Sequence, residues 1–579
     1  MIRHTNGLKL AHAAGKLLRG ASRISKSVGT LGFAAALALP LVFAGCGGGG
    51  SGPPQQVTPT ITWANPQPIN YGAALSSTQL DATASVAGTF VYSPAAGSIP
   101  TAGTDLLTTT FTPTDTIHYT VATFAVQLVV NPQPLQQSGT WTPAPFSAAN
   151  GGPAFGLWLL TDGTVLSHGG DLHQWVKLTP DAQGNYANGA WTVLADSNYG
   201  RGAAQEHVLR DGRFYEAGGE YIYFWPPGSS SNDHNSVEIY DPVANTWTIG
   251  APGLYGDIGD SGSTTLTDGR IFASSRSTNA TQIYDPTANA WTPEAAKSDS
   301  GDEESWISLP DGSVFAVSNT TQNRYDPAAN QWNPTGPIPP GVIFGDVGPA
   351  TLLYDGRVFV LGSFSTALYT PGATRSAPGS WVAGPGLPDG NNTEDVAAIV
   401  EPNGKVMFQS YPNGKAANVL NEFDPQSNTI APIVPPNDPA IPLDYLVLPT
   451  GQIIVTCGAL DYIYTPTGAP SDVWRPTVKS VTLNPDGSYT LTGTQLSGMV
   501  TTGEDDMTMA ENYPIVYLTN AAGNVYYCRS FNFSSMIPAT PGEVETAQFT
   551  LPAALPHGTY SLYVSAVGVS SKTAYPFTF

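Results

Sequence analysis

Apolar residues along this chain come in short runs, and two-residue turn signals break them. LLTDGTVLSHGG (159–170), HVLRDGRFYEAGG (207–219) and LLYDGRVFVLGS (352–363) each place an Asp-Gly pair between two such runs. Asp-Gly and Asn-Gly pairs favour tight β-hairpins because these turns need positive φ. Seven turns recur at steps of 43 to 57 residues, which predicts seven repeated hairpins: Asp162-Gly163, Asp211-Gly212, Asp268-Gly269, Asp311-Gly312, Asp355-Gly356, Asn403-Gly404 and Thr450-Gly451.

An octapeptide is spelled nearly identically three times after the turns. It occurs as YDPVANTW at 240–247, YDPTANAW at 284–291 and YDPAANQW at 325–332. Proline has no N–H to give to a sheet, so Asp-Pro starts a turn, and the Asn that follows tolerates positive φ. We therefore expect the octapeptide to be an architectural joint, with Trp247, Trp291 and Trp332 buried between neighbouring repeats.

Composition agrees with an all-β chain of several domains. The 579 residues include 62 Gly and 51 Pro, more turn-forming residues than a helical protein tolerates, and 41% hydrophobic residues, enough for packed cores. Three Cys are too few for a disulfide scaffold.

The repeats resemble Kelch motifs, and residues 139–476 resemble the seven-bladed β-propeller of the galactose oxidase and glyoxal oxidase group. Gly139-Thr140-Trp141-Thr142 precedes the first hairpin and is expected to close the ring by completing the last blade. Residues 477–579, with YTLTGTQLSG and LPHGTYSLYVSAVGVSS, resemble the C-terminal Ig-like (E-set) sandwich of that group. The resemblance implies a fold more strongly than an activity.

The N-terminal segment is predicted to target the chain for export. Residues 1–46 contain six basic and no acidic residues, then an apolar stretch and Leu41-Val42-Phe43-Ala44-Gly45-Cys46, which resembles a bacterial lipobox with Cys46 as the lipidated residue. Residues 47–57 form a Gly/Ser/Pro linker. Residues 58–132 resemble bacterial Ig-like modules. These features predict an exported lipoprotein of the cell envelope, at the outer membrane or cell surface, held to the membrane by its lipid anchor alone.

The net charge of the chain limits the classes of partner that it is expected to bind. Without residues 1–46 the chain keeps 16 Lys and Arg against 44 Asp and Glu, a net charge of about −28. Nucleic acid is excluded because phosphate binding needs a basic surface. The expected partners are an extracellular polysaccharide or a surface protein.

Copper-radical chemistry is not expected. The resemblance implies a copper ion held by a Tyr-His pair opening the last blade, a second Tyr cross-linked to a Cys, and a His from the C-terminal domain. Ile441-Pro442 takes the place of the Tyr-His pair, and no such dipeptide occurs in the sequence. Cys457 and Cys528 lie too late for the cross-link, and residues 498–513 contain no His. These two Cys could pair with each other or remain as buried thiols.

Acidic residues precede the turn glycines in six of seven blades. If the turns lie at one face, the starts of the innermost strands meet at the other, together with aromatic and imidazole side chains. The residues predicted to form a binding surface there are Glu206, His207, Tyr223, Trp225, Asp260, Glu303, Trp306, Asp346, Asp395, Asp444 and Tyr445. Carboxylates accept hydrogen bonds from sugar hydroxyls or hold Ca²⁺, and aromatic rings stack on sugars.

Recognition of a polysaccharide at this surface is the favoured function, with no catalytic residue assigned. Two alternatives stay open: an oxidase-like enzyme with a lost or altered metal site, and a structural or protein-docking scaffold. No resident cofactor is expected, with Ca²⁺ as the alternative. His168, Asp171 and His173 could hold a metal, but their spacing in a loop is weak support. The acids could also be ordinary solvated loop residues.

Overall fold

The computed structural model describes residues 55–145, 155–169, 172–219, 221–224, 235–342, 345, 347–388, 392–394, 396–411, 419–436, 444–456, 460–503 and 512–579, with the backbone alone at Phe155 and 221–224. Regular structure in these ranges is almost entirely β-strand, and the two described helices are single 3-10 turns, Tyr186–Asn188 and Asp472–Trp474. The all-β prediction is confirmed. Within the same ranges no helix has the length and apolar character needed to cross a membrane.

The chain divides into two compact units, 1–133 and 134–579. In the first unit, two sheets enclose a core that contains Trp63, Leu107 and Phe111. Buried and exposed residues alternate at the end of β6, as expected when one face of a strand meets a core. Its strands are β1 Ile61–Thr62, β2 Ile69–Asn70, β3 Thr83–Ala84, β4 Gly88–Ser93, β5 Gly103–Pro113 and β6 Ala122–Asn131.

The second unit begins with a seven-bladed propeller in which every blade has an antiparallel four-strand core. The Gly of each predicted hairpin turn has a φ between +75° and +91°, which a residue with a side chain rarely adopts. The seven hairpins are therefore confirmed, and each forms the two innermost strands of one blade.

The blades are as follows, from the innermost strand outward. Blade 7 ends in β7 Gly139–Pro143. Blade 1 has β8 Phe155–Leu159, β9 Val165–His168, β10 Trp175–Thr179 and β11 Ala190–Val193. A side hairpin, β12 Tyr199–Gly202 with β15 Tyr221–Phe224, accompanies blade 2, which has β13 Gln205–Val208, β14 Phe214–Ala217, β16 Val237–Asp241 and β17 Thr246–Ile249. Blade 3 has β18 Ser263–Thr265, β19 Ile271–Ser274, β20 Thr281–Asp285 and β21 Ala290–Glu294. Blade 4 has β22 Ser305–Ser308, β23 Val314–Val317, β24 Gln322–Asp326 and β25 Gln331–Pro334.

The remaining blades continue the order. Blade 5 has β26 Val347–Leu352, β27 Val358–Gly362, β28 Ser365–Thr370 and β29 Ser380–Ala383. Blade 6 has β30 Ala398–Val400, β31 Val406–Ser410, β32 Val419–Asp424 and β33 Thr429–Pro432. Blade 7 has β34 Asp444–Val447, β35 Ile453–Thr456, β36 Asp461–Pro466 and finally β7.

The strand that precedes the first hairpin closes the ring, as the sequence predicts. β7 pairs antiparallel with β36, and Trp141 lies opposite Tyr464. The Trp141 Nε1 donates a hydrogen bond of 2.9 Å to the carbonyl of Val434, which fixes β7 to the end of blade 6 as well.

In three blades, the repeated octapeptide forms hydrogen bonds to the segment that connects the blade to the preceding one. Asn289 has a φ of +48°, and its Oδ1 accepts hydrogen bonds from the Tyr284 hydroxyl and the Ala251 N–H, both at 2.7 Å. The Trp291 Nε1 donates to the carbonyl of the same Ala251 at 2.8 Å. Asn245 with Trp247 holds Ala195, and Asn330 with Trp332 holds Ala295, in the same way.

The C-terminal part of the second unit is a sandwich around Leu491, Val516, Phe549 and Leu562. Cys528 is a free thiol buried in this core, and burial raises its pKa. Cys457 lies outside the described residues. The strands are β37 Thr477–Leu483, β38 Tyr489–Thr494, β39 Thr501–Gly503, β40 Ile515–Thr519, β41 Val525–Phe531, β42 Val544–Thr550, β43 Thr559–Ala566, β44 Val569–Ser570 and β45 Tyr575–Thr578.

This sandwich covers the end of the propeller that carries the hairpin turns. Asn532 N–H donates to the carbonyl of Arg210 at 2.7 Å, and Met536 N–H to that of Thr267 at 3.3 Å, directly before two of the turns. β39 leaves the sandwich and pairs with β26, the innermost strand of blade 5. The starts of the innermost strands therefore lie at the end away from the sandwich.

Candidate functional site

The starts of neighbouring innermost strands are tied together at this end of the propeller. Asp260 N–H donates to the carbonyl of Ala203 at 2.9 Å, and Ser261 forms a bridge with Asp302. Ala203, Asp260 and Glu303 hold the same place in blades 2, 3 and 4, and each has a φ of +53° or +54°. The geometry of the ring thus repeats an uncommon backbone conformation at successive strand starts.

Two of these positions contribute to a group of charged side chains that we name the acidic mouth: Asp257, Asp260, Arg276, Asp302 and Glu303. One carboxylate oxygen from each of Asp260, Asp302 and Glu303 lies within 4.8 Å of the others. The Arg276 guanidinium lies 3.0 Å from Asp257 and 3.4 Å from Asp260.

Exposure differs across the acidic mouth. Asp302 is exposed, Glu303 is partly exposed, and Asp260 is only 5% exposed. The carboxylates of the acidic mouth can accept hydrogen bonds from a ligand, and the Arg276 guanidinium can donate them. The three close carboxylate oxygens could also hold a cation.

A second charged group is buried between blades 1 and 2, and we name it the interblade cluster: His168, Arg201, Glu206, Glu216 and Glu238. Glu206, Glu216 and Glu238 lie directly opposite one another on three adjacent strands of blade 2. Directly paired residues in an antiparallel sheet point to the same face, and this face meets the blade 1 core around Trp158 and Trp175.

Arg201 links the carboxylates of the interblade cluster. Its Nε lies 3.5 Å from Glu216, its Nη2 lies 3.5 Å from Glu238, and its Nη1 donates to the Gly218 carbonyl at 2.7 Å. His168 Nε2 lies 3.9 Å from Glu216. Burial raises the pKa of Glu216 well above its ordinary value, against the opposing attraction of Arg201.

Three residues predicted for the binding surface are instead packed between blades. Trp306 is 1% exposed, contacts Phe272 and donates from Nε1 to Glu304 at 2.8 Å. Tyr445 is fully buried in the core of blades 6 and 7. His207 Nε2 lies 2.8 Å from the Ser263 hydroxyl, and burial lowers its pKa to about 3. These three rings therefore face neighbouring blades, and their burial leaves no exposed ring face for a ligand to stack on.

The predicted carboxylates fall into different places. Asp260 and Glu303 meet in the acidic mouth, whereas Glu206 lies in the interblade cluster. Asp444 is buried and accepts a hydrogen bond of 3.0 Å from the Gly156 N–H, so it joins blade 7 to blade 1.

Other predicted residues cannot be compared with the structure. Cys46, Asp171, Trp225, Asp346 and Asp395 lie outside the described residues, as does the side chain of Tyr223. For the weak metal candidates, His168 is grouped with Glu206 and Glu216 rather than with His173, whose Nε2 lies 3.9 Å from Asp196.

Sequence reasoning missed Asp302, Arg276, Glu216 and Arg201. Glu216 could have been found, because a hairpin centred on Asp211-Gly212 places it opposite Glu206. Arg201 and Arg276 lie outside the innermost strands, and nothing in the hairpin pattern places them.

One family model and several solved structures are similar to parts of this chain. The sequence model of the Kelch motif matches residues 227–253, which include β16 and β17 of blade 2. This match lies within the seven-bladed propeller and is limited to one motif. No curated protein sequence matches the chain significantly.

Several solved structures are similar to this chain at low identity. A copper-bound fungal alcohol oxidase of the AA5 family aligns with 76% of this chain and 99% of its own, at 16% identity and a TM-score of 0.44. A catalytically inactive virginiamycin B lyase from Staphylococcus aureus, bound to quinupristin, aligns with 57% of this chain and 99% of its own, at 12% identity and a TM-score of 0.42. A streptogramin B lyase aligns with 57% of this chain and 98% of its own, at 14% identity and a TM-score of 0.43. Likeness at this level transfers no activity.

Proposed function

We propose that this chain is an envelope-anchored recognition protein whose Kelch-type propeller binds an extracellular polysaccharide at the acidic mouth. The observation that carries the proposal is the convergence of Asp260, Asp302 and Glu303 beside the Arg276 guanidinium. The lipid anchor at Cys46 and the export signal remain predictions from the sequence.

The backbone holds the carboxylates of the acidic mouth in fixed positions. A left-handed conformation costs a residue with a side chain roughly 1–2 kcal/mol, and Asp260 and Glu303 both adopt it. Ala203 adopts the same conformation in blade 2, so it is a repeated feature of the ring that the surrounding structure holds in place. Here the hydrogen bond from Asp260 to Ala203 and the bridge between Ser261 and Asp302 do so.

The chemistry of the acidic mouth suits neutral sugars. Carboxylates accept hydrogen bonds from adjacent hydroxyl groups, and the guanidinium of Arg276 can donate to hydroxyl or ring oxygens. Since the chain has a formal net charge of −22, an acidic polysaccharide would be repelled unless a cation such as Ca²⁺ lies between. Because Trp306 is buried, recognition here depends on polar contacts rather than on stacking against that ring.

A glycan array tests this proposal with the full chain and two variants, Asp260→Asn and Glu303→Gln. Both changes remove a charge and keep the shape, and Asn tolerates the left-handed backbone. Asp268→Asn is the matched control, since it removes one charge from the same blade at the opposite end. We expect both mouth variants to weaken binding at least tenfold and the control to bind normally.

The array is run with Ca²⁺ and with a calcium chelator, which separates direct from cation-bridged binding. If no glycan is enriched, or if the mouth variants bind as the unmodified chain does, the acidic mouth is not the recognition site. Capture of a protein by the same chain, without any glycan, would favour the docking-scaffold alternative.

A further inference from the structure

We propose that His168, Glu206 and Glu216 of the interblade cluster bind a divalent transition-metal ion, with Zn²⁺ as the ion that this donor set fits best. One donor atom from each of the three side chains lies within 4.8 Å of the other two. The donors come from β9 in blade 1 and from β13 and β14 in blade 2, so a bound ion would join two blades. This site is separate from the acidic mouth and does not depend on the proposed function.

The separation of the donors is suitable for coordination after small side-chain movements. Bonds of about 2.1 Å to a tetrahedral zinc place neighbouring donors about 3.4 Å apart. Contraction from the present spacing needs rotation about the outer χ angles of two glutamates. The backbone pairing of β13 with β14 already holds Glu206 and Glu216 opposite each other.

Glu216 provides an independent indication of a ligand. Its side chain is fully buried, and neither of its oxygens accepts a hydrogen bond from any residue that the structure describes. The adjacent Glu238 is equally buried, yet it accepts three hydrogen bonds of 2.7–3.0 Å from the N–H groups of Asn198 and Tyr199. Arg201 approaches Glu216 only to 3.5 Å. A buried carboxylate without such partners is costly unless it takes up a proton or a cation coordinates it.

The donor types favour zinc over calcium. Ca²⁺ takes six to eight oxygen ligands, whereas Zn²⁺ accepts imidazole nitrogen together with carboxylate oxygen at low coordination number. The rings of Trp158 and Trp175 lie 5.4 Å and 4.0 Å from the His168 ring between centroids, so both indoles pack against this imidazole.

The test uses the full chain, stripped of metal by unfolding with a chelator and refolded with Zn²⁺, Mn²⁺ or Ca²⁺. Bound metal is counted by mass spectrometry after desalting, and Co²⁺ loading gives visible absorption bands that report nitrogen and oxygen ligation. We expect about one Zn²⁺ per chain, and an affinity reduced at least tenfold by Glu216→Gln and by His168→Gln.

Two control variants test whether the zinc is held at the interblade cluster and nowhere else in the chain. Glu304→Gln changes an equally buried glutamate in blade 4, and Asp260→Asn changes the acidic mouth; both should retain the zinc. Loss of zinc with Asp260→Asn alone would place the ion in the acidic mouth and overturn the proposal. Absence of bound zinc, a preference for Ca²⁺, or zinc binding unchanged by both Glu216→Gln and His168→Gln would also overturn it. Circular dichroism confirms that each variant is folded.

Discussion

Replacing Asn289 with Ala tests whether the repeated octapeptide is a structural joint. The change removes the acceptor for the Tyr284 hydroxyl and the Ala251 N–H, each worth about 1 kcal/mol. It also places Ala at a φ of +48°, at a cost of roughly 1 kcal/mol. We therefore expect the free energy of unfolding to fall by about 3 kcal/mol.

Two matched variants divide this loss into its parts. Asn289→Gly removes the hydrogen bonds but accepts the backbone conformation, so it should cost about 2 kcal/mol. Asn289→Asp keeps an acceptor oxygen and tolerates the left-handed region, so it should cost less than about 1 kcal/mol.

The assay is urea unfolding of the full chain, followed by tryptophan fluorescence, with the midpoint of the propeller transition compared among variants. The expected order of stability is Asn, Asp, Gly and then Ala. If all three variants unfold within about 0.5 kcal/mol of the unmodified chain, the joint contributes nothing measurable and our account of the repeat is wrong.

Two further predictions concern burial. Because the pKa of His207 is lowered to about 3, the folded chain keeps this imidazole neutral while the unfolded chain protonates it below about 6.5, so stability is lost as the pH falls through this window. Between pH 7 and 4.5 the unmodified chain should lose about 2.5 kcal/mol more than His207→Gln in parallel urea titrations, and equal losses would contradict the burial argument. Gly503→Ala should destabilise the second unit by about 2 kcal/mol in thermal unfolding, because an added Cβ would lie 2.0 Å from the Trp306 carbonyl oxygen. Gly386→Ala, where nothing lies within 4 Å, is the control, and equal melting temperatures for the two variants would refute this packing.

Much of the fold could be predicted because hairpin turns and repeats are local signals. The seven turn glycines predicted the seven blades. The Asn and Trp of the repeated octapeptide predicted the joint between blades. The pairing of β7 with β36 was also predictable, because only seven innermost hairpins were found while an outer-strand sequence preceded the first. The insertion of β39 beside β26 was not predictable, since no residue pattern in Thr501–Gly503 marks it.

The candidate site was predicted less well because distance from the turn decides which way a side chain points. Asp260 and Glu303 lie nine residues before their turn glycines, ahead of the strand, and both reach the acidic mouth. Glu206 and Trp306 lie six residues before theirs, within the strand, where side chains face the neighbouring blades. The sequence prediction accepted any residue six to ten positions before a turn glycine. It therefore combined residues of the acidic mouth with residues that are buried between blades.

The position of β39 has a consequence for the order in which this chain can mature. Strand β26 pairs with β27 on one edge and with β39 on the other. Because more than 140 residues separate β26 from β39, the second edge has no partner until residues 501–503 have been synthesised. During synthesis from the N-terminus, the seven blades are therefore nearly complete before β39 is made. A nascent chain that stops before Thr501 would expose the edge of β26, which makes such truncation products candidates for aggregation and proteolysis.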